Sequence, residues 1–370
     1  MNPLVLNDTA DRTDLSGLNL IHVVRQYAPM IGGLEDFVKN LAKRQLGRFA
    51  SVKVITLNRL FTDQVHVLPD RDVIDGVEVI RIPFCGSPRY PVAPQVFRHL
   101  GEADLVHVHA VDFFFDALAL TRVFHGHKMV ATTHGGFFHT KAHSRLKEVW
   151  FSSLTRLSAH QYGGIACCSE SDLEMFASIA PKQSRLIENG VDLAKFSEAS
   201  SPIPRRQMVT IGRFSQNKRL DRILDVLEML VRDGEDWRLD IIGSPSDLSR
   251  DDLASEIAKR GLEASVGVHT GLSDQDVRKV IGNSSLFVSA SEYEGFGIAM
   301  IEALSAGLLP VVQPNAAFAS LQKRHRLVRL ADFSQAGETA TAVREVMAQL
   351  ERSSSIRAEA MRSAEQHGWP

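Results

Sequence analysis

The sequence predicts an α/β protein of two Rossmann-like, doubly wound domains facing each other across a cleft. Three observations carry the prediction. The chain has 370 residues, which at roughly 150 residues per domain makes two domains the first expectation. Short runs rich in Val and Ile alternate with longer amphipathic stretches, which implies a mainly parallel sheet covered by helices on both faces. That alternation pauses once, at Ser197–Arg206 (SEASSPIPRR), a stretch that reads as a linker. The expected division is 1–196, a linker at 197–206, and 207–370.

The elements follow in order. Met1–Gly17 carries Asp8, Asp11 and Asp14 and no basic start, so it reads as a frayed tail rather than a secretory signal. Leu18–Val24 reads as a buried strand. After the loop Arg25–Gly33, the residues Leu34, Phe37, Val38, Leu41 and Ala42 fall on one helical face, with Gly47 placed to end the helix. Further strands are expected at Val52–Leu57, Val77–Ile82, Leu105–His109, Met129–Thr133 and Gly164–Cys168. Helices are expected at Pro94–Leu100, Asp116–Val123, Arg145–Tyr162 and Ser171–Ser178. Past the linker, strands at Met208–Ile211, Arg238–Ile242, Ser265–His269, Leu286–Ser289 and Leu309–Val312 alternate with helices at Arg222–Val231, Asp251–Lys259, Asp276–Ile281 and Ile298–Ala306.

Composition narrows the class. Lys plus Arg total 42 against 44 Asp plus Glu, with 44% apolar and 23% charged residues. That balance excludes a disordered chain, a collagen-like repeat and nucleic-acid binding driven by overall charge. Cys85, Cys167 and Cys168 cannot pair completely, which points to a reducing compartment. No run reaches the ~18 consecutive apolar residues of a membrane span. A cytoplasmic protein is expected.

Four motifs sit where such folds bind ligands, at the carboxyl ends of strands. Gly32-Gly33 stands between a strand and a helix, whose free N–H groups suit a phosphate, although a plain turn would use the same glycines. Gly212, Arg213 and Lys218 follow the Met208–Ile211 strand; the two cations could close on a diphosphate, or form a solvated basic loop. Glu294, Phe296 and Gly297 follow Leu286–Ser289. Glu294 and, eight residues on, Glu302 can each accept hydroxyl hydrogen bonds, which suits a sugar. His134, between Thr133 and Gly135, would reach the cleft and could donate to a hydroxyl. Two further signals are set aside. Asp70-Arg71-Asp72 lies in what reads as a polar loop, and His107-x-His109 lacks a full ligand set, so no metal site is expected.

Together these residues resemble glycosyltransferase family 4, whose members have the two-domain GT-B architecture. Glu294–Glu302 matches the family's Glu-x7-Glu element, Arg213 and Lys218 its diphosphate pair, Gly32-Gly33 its N-terminal loop and His134 its cleft histidine. Asn189-Gly190-Val191-Asp192 matches a segment before its linker. Members usually continue past a point like His367-Gly368-Trp369-Pro370 into a last helix that returns to the N-terminal domain. A narrower resemblance lies in His22–Gln26, Arg89–Pro94, Val111–Asp116 and Thr133–Thr140, which look like a group of exopolysaccharide-assembling mannosyltransferases.

The resemblance implies an acceptor-side N-terminal domain and a C-terminal domain that binds a nucleotide sugar. It implies transfer of mannose from GDP-mannose, with retention, to the 3-position of polyprenyl-diphosphate-linked cellobiose. Arg213 and Lys218 would meet the charge growing on the leaving diphosphate, helped by Gly33. Gly32, Gly212, Glu294 and the backbone at Phe296-Gly297 would hold the donor, Glu302 its ribose, and His134 the transferred sugar. No carboxylate nucleophile can be nominated, so a same-face mechanism is implied, and no cofactor. The residues leave the donor base open; an epimerase or a binding protein of this fold are the alternatives. Finally, residues 121–160 carry Arg122, Lys128, Lys141, Arg145, Lys147 and Arg156 against Glu148 alone. Trp150, Phe151, Leu154 and Leu157 make an apolar stripe beside them. Either that stripe packs into the core, or it rests on an anionic membrane at the inner face of the cell membrane.

Overall fold

Apolar runs along the chain pair into two parallel sheets, one on each side of the expected linker. The computed structural model describes residues 14–88, 90–135, 149–353 and 355–369. The N-terminal half holds β1 (Asn19–Val23), β2 (Ser51–Leu57), β3 (Arg71–Ile74), β4 (Val77–Ile82), β5 (Cys85–Ser87), β6 (Tyr90–Val92), β7 (Leu105–His109), β8 (Lys128–Thr132), β9 (Gly164–Cys167) and β10 (Ser184–Leu186). Eight of these described strands form one sheet in the order β10-β9-β8-β7-β1-β2-β4-β3, while β5 and β6 pair apart. The C-terminal half holds β11 (Gln207–Ile211), β12 (Arg238–Ile242), β13 (Val266–His269), β14 (Leu286–Ser289), β15 (Leu309–Val312) and β16 (Arg329–Leu330), in the order β13-β12-β11-β14-β15-β16.

Local chemistry fixes the helix ends. Helix Gly33–Gln45 stops where Gly47 takes φ +78°, one residue past the cap Leu46, as the sequence led one to expect. The helix expected at 116–123 starts earlier, at Phe113, because the Asp112 carboxylate accepts the Phe114 N–H at 2.9 Å. Pro94–His99 is a 3-10 turn rather than an α-helix. Helix Leu220–Arg232 buries Ile223, Leu224, Val226, Leu227 and Leu230 against the second sheet. Among the described helices, none is long and apolar enough to cross a membrane.

Two expectations need correction. Asp70-Arg71-Asp72 is not a loop: Arg71 and Asp72 open β3, an antiparallel edge strand, and Asp72 lies 3.1 Å from the buried Arg81 guanidinium. The expected stripe from Trp150 to Leu157 also divides. Phe151–Thr155 forms a π turn, whose extra residue shifts the 3.6-residue phase. Phe151 therefore enters the core, while Trp150 and Leu157 face outward. Lys141, Arg145 and Lys147 lie outside the described residues.

The chain crosses between its halves more than once. Val191 N–H donates to the His367 carbonyl at 2.8 Å, and a bridge joins Val191 to Gly368. Trp369 then packs 5.2 Å from the Phe37 ring, beneath the Arg44 guanidinium. Gly190 lies flat against that indole: a Cβ there would stand 2.5 Å from Trp369 Cδ2. Glu188 grips Arg324 through two bonds of 2.9 and 2.6 Å.

The contact at Gly190 can be tested by a double-mutant cycle. Trp369→Ala should cost about 2 kcal/mol, since the indole is half-buried. Gly190→Ala should cost a similar amount through steric conflict, roughly 1–3 kcal/mol. In the double variant the second cost should vanish, because its cause is gone. Additive costs in denaturant unfolding would refute the contact.

Candidate functional site

In each sheet one central strand has neighbours that run off in opposite directions of chain order. These are β1, between β2 and β7, and β11, between β12 and β14. The loops leaving such strands diverge and open a crevice at their carboxyl ends. Gly32-Gly33 follow β1, Gly212–Lys218 follow β11, Glu294–Gly297 follow β14, and His134 follows β8, beside β7. The two crevices face each other closely: a Cβ on Gly295 would meet the His134 carbonyl at 2.9 Å, and one on Gly33 would meet Ile298 at 3.7 Å.

On the C-terminal side the two loops are stitched together by Asn217. Its amide donates to the Tyr293 carbonyl at 2.9 Å and its oxygen accepts the Tyr293 N–H at 3.1 Å. The adjacent Lys218 Nζ then lies 2.7 Å from Glu294 Oε1. Gly212 leaves room for that lysine, since a Cβ there would meet Lys218 Cε at 3.0 Å. Arg213 is exposed beside the pair. Its charge, with that of Arg25, acts on Glu35 in the first turn of helix Gly33–Gln45, where burial is the larger effect and raises the carboxyl's pKa. Two guanidinium groups therefore flank the amino end of that helix. Glu35 covers Gly32 so closely that a side chain at Gly32 would strike its carboxyl group. The Glu35 side chain would have to move to admit a side chain at Gly32, whereas Gly33 has room for one.

Gly297 takes φ +97° as the cap of helix Ile298–Ala306, a conformation that favours glycine, and Phe318 closes the space above it. The Phe296 side chain is buried against His367, so only backbone is offered there. Glu302, on the same helix, is 9% exposed. Burial pushes its pKa up to about 7; Lys195 opposes the shift, and Asp36 and Asp274 add to it. Lys195 Nζ stands 3.2 Å from Asp36, 3.4 Å from Asp274 and 3.7 Å from Glu302, so it ties helix Gly33–Gln45 to the C-terminal half.

On the N-terminal side His134 has φ +57° and is followed by Gly135 at +71°. A strained turn of this kind persists only when its surroundings hold it. Asp172 does so: it accepts the Gly135 N–H at 2.9 Å and the hydroxyl of Thr133. Desolvation lowers the His134 pKa to about 3, and the positive charge of Arg25 works in the same direction. The ring is neutral at physiological pH. All the expected site residues thus lie on the crevice loops or the two helices bordering them, with the Phe296 side chain turned away. Sequence reasoning missed Arg25, Glu35, Lys195, Asn217 and Asp172. Arg25 had a signal, since it stands two residues past the carboxyl end of β1.

Comparison with known proteins agrees with this geometry. Residues 31–195 match the model described as Glycosyltransferase Family 4, and residues 194–363 match Glycosyl transferases group 1. The GDP-mannose:cellobiosyl-diphosphopolyprenol alpha-mannosyltransferase of Komagataeibacter xylinus is 42% identical over 83% of this chain and 78% of its own length. The protein of the same name from Xanthomonas campestris is 42% identical over 82% and 80%. Among solved structures, HepE of Anabaena in complex with UDP and glucose superposes with a TM-score of 0.73 at 16% identity, over 95% of both chains. Sucrose-phosphate synthase of Thermosynechococcus elongatus superposes at 0.76 and 15%, again over 95% of both. The fold is GT-B.

The buried Glu302 generates a pH test. A carboxyl whose pKa rises from 4.5 to about 7 on folding binds more protons folded than unfolded between those values. Stability from this group is full below pH ~4.5 and is lost as pH rises toward 7. Glu302→Gln, which cannot ionise, should therefore gain stability relative to the parent chain across that window. The advantage should be largest above pH 7. Thermal unfolding at pH 5 and 8 measures it; an equal difference at both would disprove the shift.

Proposed function

The chain belongs to the family 4 glycosyltransferases, and we propose that it moves mannose from GDP-mannose to polyprenyl-diphosphate-linked cellobiose, at the 3-position and with retention. The observation that carries this reading is the Lys218–Glu294 pair at the C-terminal crevice, 2.7 Å apart. In a nucleotide sugar the diphosphate and the sugar join at the bond that breaks. A cation suited to the one and a carboxylate suited to the other bracket that bond. Donor entry parts the pair: Lys218 turns to the phosphates and Glu294 to the sugar hydroxyls. The named relatives supply the donor, the acceptor and the linkage class.

As the anomeric bond lengthens, negative charge collects on the departing diphosphate. With the donor in place, Arg213, Lys218 and the N–H groups at the start of helix Gly33–Gln45 receive it. Glu302 takes the ribose, and His134 meets the transferred sugar on the acceptor side. The phosphate oxygen of the leaving group accepts the acceptor's proton on the same face. In this reading residues 1–196 present the acceptor and residues 207–370 the donor, joined by 197–206.

A lipid-linked acceptor must be met at a bilayer. Leu120, Val123 and Phe124 are exposed, the last two at 83% and 87%, and Val149, Trp150 and Leu157 are exposed on a neighbouring segment. Arg122 joins the segments by donating to the Gln161 carbonyl at 2.8 Å. We read these side chains as the face that rests on an anionic membrane, holding a cytoplasmic protein peripherally at the inner surface.

Labelled GDP-mannose and lipid-linked cellobiose should give a trisaccharide lipid, which an epimerase or a binding protein would not make. Arg213→Ala or Lys218→Ala should lower kcat roughly a hundredfold, about 3 kcal/mol, with smaller effects on donor binding. Parent-level turnover in a folded Arg213→Ala chain would sink the assignment.

The membrane face has its own test. The protein should sediment with anionic and not with neutral vesicles, less so at raised salt. Val123→Asp with Phe124→Asp should abolish sedimentation while leaving the unfolding midpoint unchanged, both side chains being exposed. If this variant still sediments as the parent does, the membrane face lies elsewhere.

A further inference from the structure

Beneath the cleft, β1 and β7 put His22, His107 and His109 on one face of the sheet, with His22 in register opposite His107. His22 and His109 are fully buried. Two ring nitrogens of each are engaged. His134 Nε2 stands 3.0 Å from His109 Nδ1, His109 Nε2 stands 2.8 Å from His22 Nδ1, and His22 Nε2 stands 2.7 Å from Gln45 Oε1. Gln45 is the last residue of helix Gly33–Gln45 and is half-buried, so the chain of rings runs from the cleft to the far end of that helix.

A neutral imidazole has one N–H and one lone pair, so three in series must all point the same way. Burial keeps these rings neutral: it lowers His22 to about 4 and His109 well below the ordinary histidine value. The Gln45 carbonyl is an acceptor and sets the direction. His22 donates to it from Nε2 and accepts at Nδ1. His109 donates to His22 and accepts from His134 Nε2–H. The nitrogen of His134 left for a ligand is then Nδ1, bearing a lone pair.

We propose that Gln45, His22 and His109 are positioning residues that hold His134 in its Nε2–H form, so that it meets the transferred sugar as a hydrogen-bond acceptor. The proposal rests on the reading that His134 contacts that sugar, and it reverses the donor role expected from sequence. A hydroxyl that donates to Nδ1 is fixed in orientation, and its oxygen gains electron density. No proton leaves the sugar; the relay orients, and its outer end at Gln45 is what a single substitution can change.

His22 and His109, with His107, are also a candidate metal cluster, since one ligand atom from each lies within 4.8 Å of the others. The distances favour the relay. Two nitrogens on one tetrahedral zinc would stand about 3.3 Å apart, whereas His22 Nδ1 and His109 Nε2 are 2.8 Å apart, the separation of a shared proton. His107 Nε2 is instead 2.8 Å from the Thr132 hydroxyl.

The test reads the tautomer directly, by nitrogen NMR of histidine-labelled protein without substrate, with the His134 signals assigned from a His134→Gln variant. The parent should show His134 protonated at Nε2 alone. Gln45→Leu removes the acceptor and should give a mixture of tautomers. Gln45→Glu, an acceptor only, should restore the single form. Turnover should follow: kcat falls roughly tenfold in Gln45→Leu with donor KM within about twofold, and returns in Gln45→Glu. An Nδ1–H form in the parent, an unchanged tautomer in Gln45→Leu, or stoichiometric zinc whose removal shifts these nitrogens would each overturn the proposal. Because the tautomer is read on the resting protein, it is decided separately from which sugar is moved.

Discussion

Everything at the cleft depends on one constraint of parallel sheets: the strands all end on the same side. Each ladder satisfies its own backbone groups, so the chain is free to vary only where it leaves a strand. At β11 and β14 the two departing loops must separate, one toward β12 and the other toward β15. Separation leaves a gap lined by backbone N–H groups. Asn217 spans that gap and sets how wide it is, although Tyr293 lies 76 positions further along the chain. The Lys218–Glu294 pair is then a consequence of width rather than a coincidence of two surface charges. The pair is partly buried, so its charges are less screened than those of a surface pair. Its position matters because each member is available to a ligand bearing the opposite group.

The second theme is how the molecule tolerates polar groups in places that water cannot reach. It uses three solutions. Asp172 is buried and its Oδ2 gathers donors from Thr133, Gly135 and Cys168, while its Oδ1 has no partner. Glu302 has a nearby cation in Lys195, yet burial outweighs that attraction and the group leans toward its neutral form. The histidines beneath the cleft give up charge altogether and pair with one another. The three differ in function as well. Asp172, with three donors on one oxygen, is a fixed support, and it supports the strained turn at His134. In the proposed reading Glu302, held near its titration point, is the group whose state a bound ribose would change.

The sequence carried the interior of this fold better than its edges. Strands such as Val77–Ile82 are buried along their length and stand out as apolar runs. Arg71–Ile74, Ser184–Leu186 and Arg329–Leu330 lie at sheet edges, are short and carry charged residues, so no periodicity announces them. Helix Ala336–Arg352 has a faint pattern because three of its seven buried residues are Thr339, Ala340 and Ala342, which contrast weakly with their neighbours. At the site, residues beside a glycine at a strand end were legible because the local pattern is itself the signal. Lys195 was not: its partner Asp36 is 159 residues away, and only the folded chain brings them together. Asp172 failed for the same reason, being 37 residues from the Gly135 it holds.

The arrangement also says how the two halves can act as one site. Parting the halves would separate Gly295 from His134 and Lys195 from Asp274 and Glu302, while Val191, Gly368 and Trp369 keep the halves linked at the far side. Contacts on the cleft side are single ion pairs and glycine approaches, each weak. Contacts on the far side include a buried backbone hydrogen bond and an indole stacked between Gly190 and Phe37. Such asymmetry makes the far side the hinge and the cleft side the part that yields. In the proposed reading, a nucleotide sugar entering between Lys218 and Glu294 has to break little to open the site. Once inside, it would offer Arg213, Lys218 and the amino end of helix Gly33–Gln45 a common counter-charge, which would draw the halves together. Closure would then be coupled to the presence of the donor, and the acceptor would meet a complete set of cations only when there is a diphosphate for them to hold.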